Sequence, residues 1–214
     1  NMDFVDKKSN GVDKEILKFP EGFFWGSGTS AHQVEGGCHN DWTEWEKANA
    51  QRLAGKARNY WQEWQWKKFP EMLNPENYIS GRACDHYNRY EEDFDLAKSL
   101  GQNAHRFSIE WSRIEPEEGK FDEREIEHYK KVILALRERG LEPFVTLWHW
   151  PLPPWLARKG GLTNKKLPIY FSRYAEKLGA GFILRRGNPE NDTKELDRHG
   201  PDGPRDDEYT SLDS

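Results

Sequence analysis

Three clusters of polar and aromatic side chains sit where short apolar runs of the chain end. The first is Ser30-Ala31-His32-Gln33-Val34-Glu35-Gly36, the second holds Arg106, Ser108, Glu110, Trp111 and Arg113, and the third is His149-Trp150-Pro151-Leu152-Pro153. An amide, an imidazole and a guanidinium together supply many directional donors and acceptors, and indole rings supply flat apolar faces. That mixture suits a polyhydroxyl ligand, which is held by hydrogen bonds to its hydroxyls and by ring stacking on its C–H face. Taken singly the residues say less. His149 alone reads as a satisfied structural histidine, and Gln33 as a surface amide. Arg106 and Arg113 serve equally well as partners of Glu110 or other buried carboxylates. Glu44, Glu46, Glu117 and Glu118 read as solvated surface charge.

The elements that would position these clusters follow from periodicity. Phe23 to Ser30 reads as a short buried strand after the turn Phe19-Pro20-Glu21-Gly22. Residues 41–81 form a Trp-rich, charged insertion without a strand pattern, in which residues 41–57 and 59–73 are each compatible with helix. Tyr87, Tyr90, Phe94, Ala97 and Leu100 recur at helical spacing, with Asp85 as N-cap and Gly101 as stop. Asn103 to Ile109 is a second strand. A second amphipathic helix, marked by Ile126, Tyr129, Ile133 and Leu136, runs from Asp122 to Gly140. Pro143 to Trp148 is a third strand, followed by a helix marked by Tyr170, Phe171, Tyr174 and Leu178. Alternation of this kind calls for parallel strands joined by crossover helices, in an open sheet or a barrel. Gly26-Ser27-Gly28 lacks the third glycine and the helix of a dinucleotide-binding loop, which favours the barrel.

Composition narrows the function further. The 214 residues carry a net charge of −5 and no basic run, which argues against nucleic acid. No stretch is long and apolar enough for a membrane span. Cys38 and Cys84 have no metal-ligand spacing and read as isolated buried thiols, in keeping with a cytoplasmic protein; neither a metal nor another cofactor is expected. The 10 Trp are expected mainly in the core. In residues 181–214 only 6 of 34 are apolar and 14 are charged, which predicts an acidic, disordered tail.

The same clusters carry a family resemblance. FPEGFFWGSGTSAHQVEGG, and then NAHRFSIEWSRI through LWHWPLP, resemble the N-terminal part of the family 1 glycoside hydrolases, the β-glucosidase and β-galactosidase family. The resemblance implies an α/β fold of three βα units from a TIM-type eight-stranded barrel over residues 17–180. Residues 1–16 would be a polar lead-in and 41–81 an insertion loop. It implies that Gln33, His149 and Trp150 bind the non-reducing sugar of a β-linked glycoside or oligosaccharide. Arg106 would orient the catalytic nucleophile and keep it ionised.

The family's two catalytic glutamates lie in Asn-Glu-Pro and Glu-Asn-Gly motifs, and neither occurs in these 214 residues. No catalytic residue is therefore assigned, Glu35 and Glu110 being read as supporting groups. The expectation is a truncated β-glycosidase, inactive alone and prone to self-association through uncovered barrel edges, with Trp148 and Phe107 partly bare. The alternatives are a non-catalytic carbohydrate-binding or partner protein and a non-functional frameshift product.

Overall fold

The computed structural model describes residues 18–181. The expected lead-in, and the expected tail apart from Gly181, lie outside the described residues. The order is β1 (Gly26–Gly28), α1 (Ala31–Val34), α2 (Asp41–Tyr60), α3 (Glu63–Lys68), α4 (His86–Ser99), β2 (Ala104–Ser108), α5 (Trp111–Ile114), α6 (Glu123–Glu138), β3 (Glu142–Thr146), α7 (Pro154–Arg158) and α8 (Leu167–Gly181). Short 3-10 turns occupy Pro70–Leu73, Pro75–Tyr78 and Gly161–Thr163. The strands form one parallel sheet in the order β1-β2-β3, with Gly28, Arg106 and Phe144 in register across it.

The first strand departs from its expectation. Instead of a buried run over 23–30 it is a three-residue strand of exposed Gly26, Ser27 and Gly28. β1 pairs with β2 alone among the described residues, so its other edge and one face have nothing to bury against. Phe19, Phe23 and Trp25 cluster instead on one another, with ring centroids 4.5–4.9 Å apart.

The insertion at 41–81 is largely helical, with α2 and α3 in the two stretches compatible with helix. Asn40 opens α2 with a reciprocal capping box: its side chain accepts from the Thr43 amide and the Thr43 hydroxyl accepts from the Asn40 amide. The buried residues of α2 are all small: Thr43, Ala50, Ala54 and Ala57. Of the five tryptophans of this region, Trp42, Trp45, Trp61 and Trp64 are exposed and Trp66 is half-buried, contrary to the expectation of core filling. Alanine spacing explains the difference, because the closely packed side of α2 has no room for indoles.

The core lies between the sheet and α4, α6 and α8. Ile126, Tyr129, Val132, Ile133 and Leu136 of α6 meet Phe94, Phe107, Trp111, Tyr174 and Leu178. Burying one such side chain contributes about 1.5–3 kcal/mol. Phe107, expected to be partly bare, is buried. Alternation along β2 turns it to the helices, whereas Arg106 takes the opposite face. Trp148 is only partly buried. Gly101 (φ +76°) and Gly140 (φ +65°) end α4 and α6 as expected. Asp122 caps α6 through the Arg124 amide, whereas the Asp85 carboxylate makes no cap bond and binds Asn88 and Arg82 instead.

Candidate sugar-binding site

Arg106 and His149, on neighbouring parallel strands and their following loops, meet on the sheet face opposite the helices. Arg106 Nη1 donates to the Thr29 carbonyl at 2.8 Å and lies 3.3 Å from His149 Nδ1. Gly28 makes room for this: a Cβ there would lie 3.3 Å from Arg106 Nε. Arg106 forms no ion pair with a carboxylate among the described residues, so it is not the partner of Glu110 that the sequence left open. Trp150 is 60% exposed and adopts φ +85°, a sparsely populated conformation for a bulky residue. The adjoining segment is held by Trp148 Nε1, which donates to the Pro151 carbonyl, and by Asp41, which accepts from the Leu152 amide. Gln33 is exposed on α1, and its side chain makes no hydrogen bond among the described residues. The structure thus brings Arg106 and His149 into contact and leaves Gln33 and Trp150 facing solvent.

Beneath α1 lies a buried polar cluster. Glu35 accepts from Arg113 Nε at 2.9 Å and from the Tyr129 hydroxyl at 2.8 Å, and Arg113 also donates to the Gly36 carbonyl. The Arg113 guanidinium stacks 4.3 Å above the Tyr87 ring. The Tyr129 hydroxyl in turn accepts from the Glu110 amide, which ties α6 to the end of β2. At Gly36 (φ +79°) a Cβ would meet the Arg82 carbonyl at 2.0 Å, so only glycine permits this crossing of the chain. Burial pushes the Glu35 carboxyl up to about 7, against the lowering influence of Arg113 and Tyr129.

Glu110 belongs to a second buried cluster. It accepts from the Ser112 hydroxyl and from Asn40 Nδ2, and burial raises its pKa. Asn40 Nδ2 also donates to His32 Nδ1, which leaves His32 Nε2–H to donate to Glu46. Glu46 additionally binds the Ser80 amide and hydroxyl, so it is a structural tie rather than solvated surface charge. Glu35 and Glu110 are therefore occupied by fixed donors away from the Arg106–His149 face. Cys38 is buried and Cys84 exposed, both as free thiols, so only the first matches the expected burial.

The titration of Glu35 gives a prediction. Its folded pKa, about 7, lies above the reference value of 4.5. Between these values the folded chain binds more protons than the unfolded one, so this group's contribution to stability is present at low pH and is lost as pH rises. His105 and His128, both depressed to about 4 by burial, act in the opposite sense, so the total profile mixes the two. The informative quantity is the stability difference between the native chain and Glu35→Gln, from urea midpoints. It should shift against the native chain by about 3 kcal/mol between pH 4.5 and pH 7. A difference independent of pH would contradict this.

The family model of glycosyl hydrolase family 1 matches residues 16–183. The chain belongs to glycosyl hydrolase family 1. Among the family's curated members, β-glucosidase A of Thermotoga maritima is 38% identical over 170 residues, covering 78% of this chain and 34% of its own length. β-Glucosidase 42 of Arabidopsis thaliana is 40% identical over 171 residues, covering 77% of this chain and 31% of its own. The structure of a β-glycosidase from Pyrococcus horikoshii superposes with a TM-score of 0.62 at 39% identity, over 77% of this chain and 33% of that one. A complex of the T. maritima β-glucosidase with deoxynojirimycin gives 0.64 at 33% identity, over 78% and 35%.

This family 1 chain thus spans about a third of the length of the relatives it matches. Its parallel sheet with crossover helices is the corresponding part of their α/β barrel. The roles of the buried partners Tyr129, Asn40 and His32 were missed in the sequence: Tyr129 reads there only as one more apolar position of an amphipathic helix, His32 only as one member of the first polar cluster, and Asn40 carries no assignment. Among the described residues no helix is long and apolar enough to cross a membrane.

Proposed function

We propose that this chain carries the part of a retaining β-glycosidase site that holds the non-reducing sugar. Gln33 and His149 would bind its hydroxyls, and Trp150 would shape the subsite. Arg106 would face the nucleophile. The observation that carries this reading is the Arg106–His149 contact on the open face of the sheet, with Arg106 lacking a carboxylate partner among the described residues. A cation so placed is suited to a carboxylate supplied by another part of the barrel, whose pKa it would lower.

Hydrolysis itself needs two carboxyl groups about 5 Å apart across the glycosidic bond. Glu35 and Glu110 are engaged elsewhere, so the chain by itself would bind but not cleave. Among the described residues β1 and β3 each pair only with β2, and self-association through these edges belongs to the same proposal. Two free thiols fit a reducing compartment such as the cytoplasm.

The test is a glucose titration followed by the NMR signals of the His149 ring and the Arg106 guanidinium. Saturable shifts at both residues are expected, and in His149→Ala the Arg106 signal should report binding weakened about tenfold, the loss of one hydrogen bond to a ligand hydroxyl. Shifts that are absent, or that fall on residues remote from β2 and β3, would refute the assignment.

A further inference from the structure

Between α1, β2, α4 and α6 there is a small, largely enclosed cavity, offering about 10 Å³ to the centre of a water-sized sphere. Thr29, Glu35, His86, Ser108, His128 and Tyr129 contribute its polar lining. One of these groups is incompletely bonded. The His86 ring is buried and its Nδ1 is 2.6 Å from Asp93 Oδ2, but its equally buried Nε2 has no protein partner. The Asp93 carboxylate holds a proton on Nδ1, so in the neutral ring Nε2 presents a lone pair and requires a donor. Ser108 Oγ, across the same cavity, accepts from the Ala31 amide at 2.8 Å and so has its own O–H left to give.

We infer that a single buried water molecule is bound here, accepting from the Ser108 hydroxyl and donating to His86 Nε2. The volume decides the ligand: about 10–15 Å³ on this measure holds one water, and a buried water needs two to four polar partners. An aspartate, a histidine and a serine in this order also make up an acyl-transfer relay, but a cavity this small admits no substrate carbonyl. Left unbonded, a buried imidazole nitrogen would lose its hydration with nothing in exchange. The water joins α4 to β2 and, through Ser108 and the Ala31 amide, to α1, the helix that carries Gln33. The inference stands whether or not the outer face binds sugar.

Two measurements on the unmodified chain test it. A crystal structure at about 1.5 Å should show one ordered water within about 2.7–3.2 Å of His86 Nε2. In solution, the His86 ring should be the Nδ1-protonated tautomer, and the Ala31 amide should show a cross-relaxation peak to a slowly exchanging water. A dry cavity, a protein donor on Nε2, or a ring protonated at Nε2 would each overturn the inference.

Discussion

Replacing Arg113 with alanine should speed hydrogen exchange of the Glu110 amide by about two to three and a half orders of magnitude at pH 8. This corresponds to the 3–5 kcal/mol lost when one partner of a buried ion pair is removed. Arg113 is bonded to Glu35, donates to the Gly36 carbonyl and stacks on Tyr87. Its loss leaves a buried carboxylate beside Tyr129, whose hydroxyl is the acceptor for the reporting amide. Glu35 must then bind a proton or draw in water, and either disturbs that contact. The double variant Glu35→Gln/Arg113→Ala should recover much of the protection, because the uncompensated charge is gone. An Arg113→Ala chain with native exchange would mean that the ion pair contributes nothing to this joint, and a double variant no better than the single would assign the loss to packing instead.

The parts of this architecture visible in the sequence are those fixed by short-range rules. Asp122 and Gly140 bound α6 because capping oxygen and left-handed glycine act within one turn of the helix, and the apolar stripe from Ile126 to Leu136 faces the core as its period demands. β3 is recognisable because Phe144, Val145 and Thr146 are aromatic or β-branched, and β2 from its place between two helical patterns. β1 was overestimated, since apolar content alone does not say whether a neighbouring surface exists to bury Phe23 and Phe24. Trp42, Trp45, Trp61 and Trp64 were misjudged for the same reason. In the site, the resemblance implied that Gln33, Arg106 and His149 converge at the strand ends; Arg106 meets His149, while Gln33 is exposed on α1. The pairing of Arg113 with Glu35, 78 positions away, was left open among several carboxylates because no local pattern selects between them.

Incubating the purified 214-residue chain with aryl β-glucosides and β-galactosides is the most direct test of the account. Retaining hydrolysis requires a nucleophile and an acid/base group on opposite sides of the bond. Removing acid/base assistance alone costs about 10² to 10⁴ in rate, and without the nucleophile the covalent route is gone. Arg106, His149 and Gln33 can hold a sugar but replace neither group. Glu35 and Glu110 are buried under Tyr129, Arg113, Asn40 and Ser112, not presented at the open face. The account predicts no turnover above that of a mock preparation, alongside saturable glucose binding at His149. Sustained turnover that disappears in Glu35→Gln or Glu110→Gln would contradict it, because one of these buried carboxylates would then be doing the chemistry.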